Sequence, residues 1–282
     1  MLRQNVQLKN STWLNVGGPV DVLYKANNLS DLVSFIKNNQ SQVAVIGVGS
    51  NILVSDEGFR GTVIRLGRGF TRIVCNDNHI TVGAAALDYN VAHFAMQNGI
   101  GGLEFLVGIP GTIGGALAMN AGCYGKDISS ILVSATVVDD RGNIMELNPD
   151  EIGYVYRGNK LPSDWVFVEA TLRGVKSHPE MIKGEMDKIT IDRQRKQPIS
   201  SKTCGSIFKN PPGHKAWELI EKSGFRGKSL GKAQISELHC NFLINNGGAT
   251  ASDLTMLCNQ VREAVKKKSA IELEWEIILL GN

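Results

Sequence analysis

The sequence predicts a mixed α/β protein made of a larger unit followed by a second, smaller one. Three observations predict it. Strand-length apolar stretches alternate with helix-period stretches through the first part of the chain. Composition shifts near residue 175, where a polar and charged stretch from Lys176 to Lys202 begins. Beyond that stretch a fresh set of helix and strand signals completes the chain.

The elements follow in order. Residues 20–25 (VDVLYK) alternate as a half-buried strand does. Asn28 is placed to cap a helix with Leu29, Leu32, Val33 and Ile36 on one face. Val43–Ile46 and Val63–Leu66 read as buried strands, and Ile80–Val82 as a short one. Asp88 is expected to cap a helix carrying Val91, Ala92, Ala95 and Met96, closed by Gly99. The stretch from Gly99 to Gly125 is rich in glycine and punctuated by Pro110. Ser134–Val138 and Asn143–Leu147 form a hairpin across Asp140, Arg141 and Gly142. Trp165–Arg173 is a further strand, and Lys176–Lys202 a helix followed by a linker. In the last part, Thr250 and Asp253 are spaced as a capping box ahead of the stripe Leu254, Leu257, Cys258, Val261 and Val265. Glu272–Leu280 reads as a final strand.

Bulk properties exclude several classes. With 282 residues the chain has room for two or three domains and a sizeable core. A formal charge of +3 is too small to signal nucleic acid. The N-terminal MLRQNVQLKN lacks the apolar region of a signal peptide, and no apolar run reaches membrane-spanning length, so a cytoplasmic location is expected. The 5 cysteines, at 75, 123, 204, 240 and 258, show no CxxC spacing, and the histidines show no ligand spacing. Free thiols in a reducing compartment and no metal site are therefore expected.

Two glycine clusters are candidates for a phosphate cradle. One is Gly47-Val48-Gly49-Ser50-Asn51, directly after a buried strand. The other runs from Gly108 through Ile109, Pro110, Gly111, Thr112, Ile113 and Gly114 to Gly115, with Asn120-Ala121-Gly122 beyond. Glycine lets backbone N–H groups gather close to an anion. Neither cluster is a GxGxxG fingerprint or a P-loop, and tight turns between packed strands explain them equally well. Arg157, in YVYRGNK, is placed to clamp a carboxylate or phosphate, or to rest on its tyrosines at the surface. Glu272, Glu274 and Glu276 alternate with Leu273, Trp275 and Ile277, so they share one strand face. Whether one of them reaches a cleft is left open by the pattern.

Within KTCGSIFKNP (202–211), Cys204 lacks a cysteine-protease context and Ser206 lacks a nucleophile elbow. A hydrolytic role is disfavoured for both. Lys266–Lys268 suit the negative end of the last helix. Lys215, Lys222, Arg226, Lys228 and Lys232 surround a glycine-containing loop and face either solvent or an anion.

Several motifs together carry a resemblance. GVGSNILVSDEGFRGTVI (47–64), GIPGTIGGALAMNAGCYG (108–125), YRGN (156–159), KQP (196–198), GSIFKNP (205–211) and LEWEI (273–277) resemble, in order and spacing, the UDP-N-acetylenolpyruvoylglucosamine reductase family. The likeness runs from about Thr12 to Gly281. It implies an α+β protein: a two-subdomain FAD-binding domain of the vanillyl-alcohol oxidase (PCMH) type plus a C-terminal α/β substrate-binding domain. The first would occupy residues 1–175, with subdomains of roughly 1–67 and 68–175. The second would occupy 176–282, its last strand, about 272–280, returning to the active site.

The resemblance further implies FAD as cofactor and NADPH as hydride donor. The reaction is reduction of the enolpyruvyl ether of a UDP-sugar to UDP-N-acetylmuramate, a cytoplasmic step of peptidoglycan precursor synthesis. The partners are small molecules, without nucleic acid or membrane. By motif match Arg157, Ser206 and Glu276 are catalytic, with Ser206 the proton donor. Gly47, Gly49, Ser50, Asn51, Ile109, Pro110, Gly111, Thr112, Gly114, Gly115 and Asn120 would hold the cofactor, and Lys196 and Asn210 would lie near substrate. Two departures stand out. Asn159 replaces the serine that usually follows the tyrosine-arginine pair, and the interval from Arg157 to Lys196 lacks the tyrosine-bearing insertion of the long form. A flavin oxidase of the same superfamily and a non-catalytic flavin- or UDP-sugar-binding module are the competing readings.

Overall fold

The computed structural model describes residues 1–281. No helix among them is long and apolar enough to cross a membrane. The chain divides into two compact units. One comprises Met1–Arg3, Val22–Gly47 and Gly61–Asp192. The other comprises Gln4–Asp21, Val48–Arg60 and the chain from Arg193 onward.

In the first unit, helix α1 (Leu29–Asn38) starts where the sequence predicts. The Asn28 side chain accepts from the Asp31 N–H at 2.8 Å, and the helix buries Leu32 and Ile36. Those two pack with Ile64, Phe70, Val138, Val166 and Val168, and Tyr24 stacks on Phe35 at 3.8 Å. Val43–Val45 runs parallel to the strand Phe59–Leu66, with Val43 opposite Thr62.

A five-stranded antiparallel sheet forms the larger part of this unit. Its order is Ile144–Leu147, Leu132–Val138, Val166–Arg173, His79–Gly83 and Ile73–Asn76. The first two strands are the hairpin expected across Asp140–Gly142. Alternation places Ile80, Val82, Ala135, Val137, Ala170 and Leu172 in one core. Helices α2 (Asp88–Gln97) and α3 (Ile113–Met119) bury Val91, Ala92, Ala95, Ile113, Ala116 and Leu117 in that core. Helix α4 (Pro149–Ile152) adds Ile152, and α5 (Pro179–Lys196) adds Ile182 and Met186 before leading onward into the other unit.

Asp88 departs from its expected part. It is the first residue of α2 rather than its cap, and Leu87 holds the cap position without a side-chain bond. Here the backbone decides. Leu87 bridges Thr112, and the Asp88 N–H donates to the Gly111 carbonyl at 3.2 Å. The carboxyl is left fully buried, and neither oxygen has a hydrogen-bond partner among the described residues. Burial pushes its pKa well above the usual carboxylate range.

In the second unit, an antiparallel sheet orders Thr203–Ser206, Phe242–Asn245, Ala233–Ile235 and Ser229–Leu230. Helices α6 (Ala216–Lys222) and α7 (Ala251–Ser269) pack on it. The capping box of α7 forms as expected, with the Asp253 N–H on Thr250 Oγ1 and the Thr250 N–H on Asp253 Oδ2, both at 3.0 Å. Its stripe, Cys258 included, is buried. The last strand is shorter than its pattern suggests. Only Ile278–Leu280 is strand, parallel to Ile52–Val54. Upstream, the N–H groups of Glu276 and Ile277 both turn to the single carbonyl of Ile207, so no regular ladder extends there.

Asp88 makes a signed prediction. A carboxyl with a raised folded pKa binds its proton more tightly in the native state than in the unfolded one. Its contribution is fully present below the ordinary value of 3.8 and falls as pH rises toward the folded pKa. Chemical denaturation of Asp88→Asn at pH 5 and pH 8 should show a smaller loss of stability with pH than the wild type, by about 1–2 kcal/mol. Parallel pH profiles would show that the carboxyl is not held neutral.

Candidate functional site

The candidate residues gather as two constellations, one in each unit. The first is built around α3. Thr112 caps it, its hydroxyl accepting from the Gly115 N–H at 3.4 Å. The Ile113 and Gly114 N–H groups donate to the carbonyls of Ala86 and Ala84, at 3.0 and 2.8 Å, and Gly111 donates to Ile109. Of the N–H groups from Ile109 to Gly115, that of Thr112 alone has no acceptor among the described residues, so this stretch uses most of its donors within the protein. What its glycines supply is close approach. A Cβ on Gly114 would come 3.1 Å from Ala84, and one on Gly47 would come 2.6 Å from Thr112 Oγ1. That second contact shows that the two glycine clusters meet at Gly47 and Thr112.

The loop after Gly47, which belongs to the second unit from Val48 on, behaves differently. The Gly49 carbonyl accepts from Trp13 and that of Asn51 from Ile278, at 3.0 Å each. Among the described residues, none of the N–H groups from Gly47 to Asn51 has an acceptor in the chain. Gly49 has φ +72°, a conformation that side chains rarely adopt. Unbonded donors in such a loop are what a diphosphate needs, whereas 109–115 suits a closely packed wall. The donor set thus fits FAD, with the two clusters in different parts.

At the C-terminal end of α3 stands Arg157. It occupies the third position of a tight turn in which Val155 and Gly158 exchange hydrogen bonds at 3.0 and 3.3 Å. Its φ is +57°, in the left-handed region that costs a non-glycine residue about 1–2 kcal/mol. Its guanidinium donates to the Gly122 carbonyl at 2.8 Å and lies 5.2 Å from the Tyr156 ring centroid. Such strain persists only where the surrounding structure over-determines it. Asn159, the departure from the family pattern, donates to the Ala118 carbonyl at 2.8 Å and accepts from the Leu161 N–H. The amide takes up a structural bond to α3.

In the second unit, the strand Thr203–Ser206 separates the two competing candidates of KTCGSIFKNP. Cys204 is fully buried, and burial pushes its thiol pKa up to about 12, which removes it as a nucleophile. By alternation Ser206 would share its face. A bulge intervenes between Thr203, opposite Ile244, and Ser206, opposite Phe242. Gly205 takes φ +80° there, and Ser206 is left half-exposed.

Glu276 joins this segment. Its N–H donates to the Ile207 carbonyl at 2.8 Å, and its own carbonyl accepts from Asn51 Nδ2 at 3.1 Å. Asn51, the Ser206–Ile207 segment and Glu276, far apart in sequence, are therefore tied by consecutive hydrogen bonds. Of the three alternating glutamates, Glu272 and Glu274 are exposed and meet Lys266 and Lys209, at 3.2 and 3.8 Å. Glu276 is half-buried. Asn210 spends its Oδ1 on the Ala216 N–H at 2.9 Å, holding the approach to α6. Lys196 lies exposed in the last turn of α5. In the basic group, Arg226 pairs with Glu221 at 2.9 Å and Lys228 lies over Phe225 at 4.5 Å.

Sequence reasoning missed Asn241. Its buried amide holds both sides of Phe208, accepting from its N–H at 3.0 Å and donating to its carbonyl at 2.8 Å. A polar residue in the otherwise apolar run CNFLI was the available signal. Gly47 carries a prediction of its own. Gly47→Ala must displace the Thr112 hydroxyl from the start of α3, so flavin affinity should fall by about tenfold and stability by about 1–2 kcal/mol. Flavin titration monitored by fluorescence, alongside denaturation, checks this, and unchanged values would separate the two clusters.

Comparison with known proteins identifies the family. A family model described as the UDP-N-acetylenolpyruvoylglucosamine reductase C-terminal domain matches residues 197–280, and one described as an FAD binding domain matches residues 22–148. A UDP-N-acetylenolpyruvoylglucosamine reductase of Wolbachia sp. subsp. Drosophila simulans is 49% identical, over 99% of this chain and 96% of its own length. Its counterpart in Anaplasma marginale is 48% identical over 99% and 93%. The crystal structure of the Thermus caldophilus UDP-N-acetylenolpyruvylglucosamine reductase superposes with a TM-score of 0.87 at 34% identity, covering 99% of this chain and 100% of that one. The chain belongs to the UDP-N-acetylenolpyruvoylglucosamine reductase family.

Proposed function

We propose a residue-level account of how this chain performs its family's reaction, the FAD- and NADPH-dependent reduction of UDP-N-acetylenolpyruvoylglucosamine to UDP-N-acetylmuramate. The observation that carries it is the bonded constellation of Asn51, Ser206–Ile207 and Glu276. We assign FAD binding to about residues 1–175 and substrate binding to 176–282, and the protein to the cytoplasm, where peptidoglycan precursors are made.

FAD, when bound, would supply the hydride chemistry, with NADPH as donor and the terminal carbon of the enolpyruvyl double bond as acceptor. The protein's task is to manage what this leaves on the substrate: negative charge on the neighbouring carbon and its carboxylate, and a carbon that needs a proton. Arg157 meets the charge, because a guanidinium pairs a carboxylate at two points. Glu276 serves the same carboxylate, and this role requires either its proton or a nearby Arg157, since an unpaired ionised Glu276 would repel the enolate. Ser206 delivers the proton to carbon. A hydroxyl is a weak acid but a carbanion-like carbon is a strong base, so position matters more than acidity.

For the cofactor, the unbonded N–H groups of Gly47, Gly49, Ser50 and Asn51 meet the diphosphate. Ile109, Pro110, Gly111, Thr112, Gly114 and Gly115 are assigned to cofactor binding as a closely packed surface. Lys196 and Asn210 stay near substrate as candidates, Asn210 by shaping its loop.

The test is an anaerobic absorbance experiment in two steps. The flavin band should bleach with NADPH and return with the enolpyruvyl UDP-sugar. A band that returned only on admitting air would identify an oxidase. Ser206→Ala should bleach at the wild-type rate and recover about 10²–10⁴-fold more slowly. Equal recovery would remove Ser206 from the proton transfer. Glu276→Gln, which keeps a hydrogen-bond donor, should recover faster than Glu276→Ala. The reverse order would show that the ionised carboxylate is the working form.

A further inference from the structure

We propose that Asn120 positions Arg157, clamping the strained turn that carries the guanidinium to the end of α3. The proposal rests on the catalytic reading of Arg157 above and deepens it. By sequence, Asn120 falls among the cofactor residues. The structure gives its side chain another occupation. Asn120 is buried, at 5% exposure, and closes α3 in the left-handed conformation with φ +44°. Its Nδ2 donates to the Val155 carbonyl at 3.0 Å, and its Oδ1 accepts from the Ser129 N–H at 3.2 Å. Both ends of the amide are thus bonded within the protein.

The choice of Val155 is informative. It opens the turn whose third residue is Arg157, and its carbonyl also receives the Gly158 N–H. The carbonyl of Asn120 lies 3.5 Å from Arg157 Nη1, and the Gly122 carbonyl, two residues on, takes Nη2. On the far side of the turn, Asn159 bonds to the Ala118 carbonyl, which belongs to the same last turn of α3. Asparagine amides therefore grip the hairpin on both flanks, while the carbonyls of Asn120 and Gly122 aim the guanidinium between them. A left-handed arginine relaxes to another turn unless its surroundings over-determine it, and these bonds do so. The helix that receives the hairpin begins at Thr112, beside Gly47. One short helix thereby joins Gly47 and its own glycine stretch to the group assigned to the substrate carboxylate.

Asn120→Gly is the test variant. Glycine keeps the left-handed conformation and deletes only the amide. Three measurements are made on the flavin-loaded full chain: flavin reduction by NADPH, its reoxidation by the enolpyruvyl UDP-sugar, and hydrogen exchange of the segment 154–160. Reoxidation should slow about 10- to 100-fold while reduction changes less than threefold, and exchange in 154–160 should rise. In the Arg157→Ala background, adding Asn120→Gly should slow reoxidation no further, because Asn120 acts only through Arg157. A general structural role would slow both steps and would add to Arg157→Ala. Either outcome overturns the proposal, as does loss of flavin, which would return Asn120 to the cofactor site. If Asn120→Gly does not fold, Asn159→Ala carries the same readouts from the other flank. Wild-type protein that fails to reoxidise with the sugar would refute the reaction itself, whereas the exchange data on 154–160 would still report on the clamp.

Discussion

The second unit depends on one carbonyl. Ile207 O receives the N–H groups of both Glu276 and Ile277. Ile207 and Phe208 are wholly buried on either side of it, and the Asn241 amide fixes Phe208 front and back. A backbone carbonyl this deep must be paired, and pairing it costs the last strand its regular ladder. The chain gives up sheet from Glu272 to Ile277 and gains a fixed relation between Glu276 and Ser206. The bulge at Gly205 completes the trade. It turns Ser206 off the face that buries Cys204, so a serine of ordinary chemistry, not the thiol beside it, is the residue left accessible.

The first unit makes a comparable exchange at α3. This helix is too short to be held by its own hydrogen bonds, and its flanking glycines lower helix propensity further. Packing holds it instead, through Ile113, Ala116 and Leu117 and through backbone bonds to Ala84 and Ala86. Those bonds, with those of Gly111 and Gly115, consume most of the donors that a glycine-rich stretch before a helix would otherwise offer an anion. The stretch 109–115 consequently acts as a close-packed surface, whereas the loop 47–51, in the second unit from Val48 on, keeps its N–H groups without acceptors among the described residues.

Much of this was legible in the sequence, for identifiable reasons. Local signals were read correctly where one side chain decides them: Asn28 and Thr250 cap their helices, and the Asp140–Gly142 turn closes its hairpin. The same reasoning failed at Asp88. There a backbone bridge between Leu87 and Thr112, distant in sequence, overrode the side chain's own preference. It failed again at Glu272–Ile277, where period-two alternation is real but the neighbouring backbone is already engaged. The candidate residues were legible as motifs, yet not their division of labour. Only three-dimensional bonding distinguishes Glu276 from Glu272 and Glu274, and only the bulge distinguishes Ser206 from Cys204. Asn241 was illegible because a buried amide announces itself by what it bonds, not by its neighbours in sequence.

On the role proposed for Arg157, its backbone strain is a form of pre-organisation. Placed at the third position of a tight turn, an arginine gives up about 1–2 kcal/mol that glycine would retain. A relaxed turn would leave the side chain its rotamers, and an arginine carries roughly 2 kcal/mol of rotamer entropy to lose on binding. Holding the backbone in the left-handed region, and the guanidinium on carbonyls of the α3 cap, spends that entropy during folding instead of during the reaction. The strain is the cost of pre-organisation. It is affordable because the hairpin is bonded to a helix already buried in the main core, so the penalty spreads over a structure that would form in any case. The same logic accounts for asparagine at position 159. Its longer amide reaches the Ala118 carbonyl and the Leu161 N–H together, one side chain tying two backbone segments.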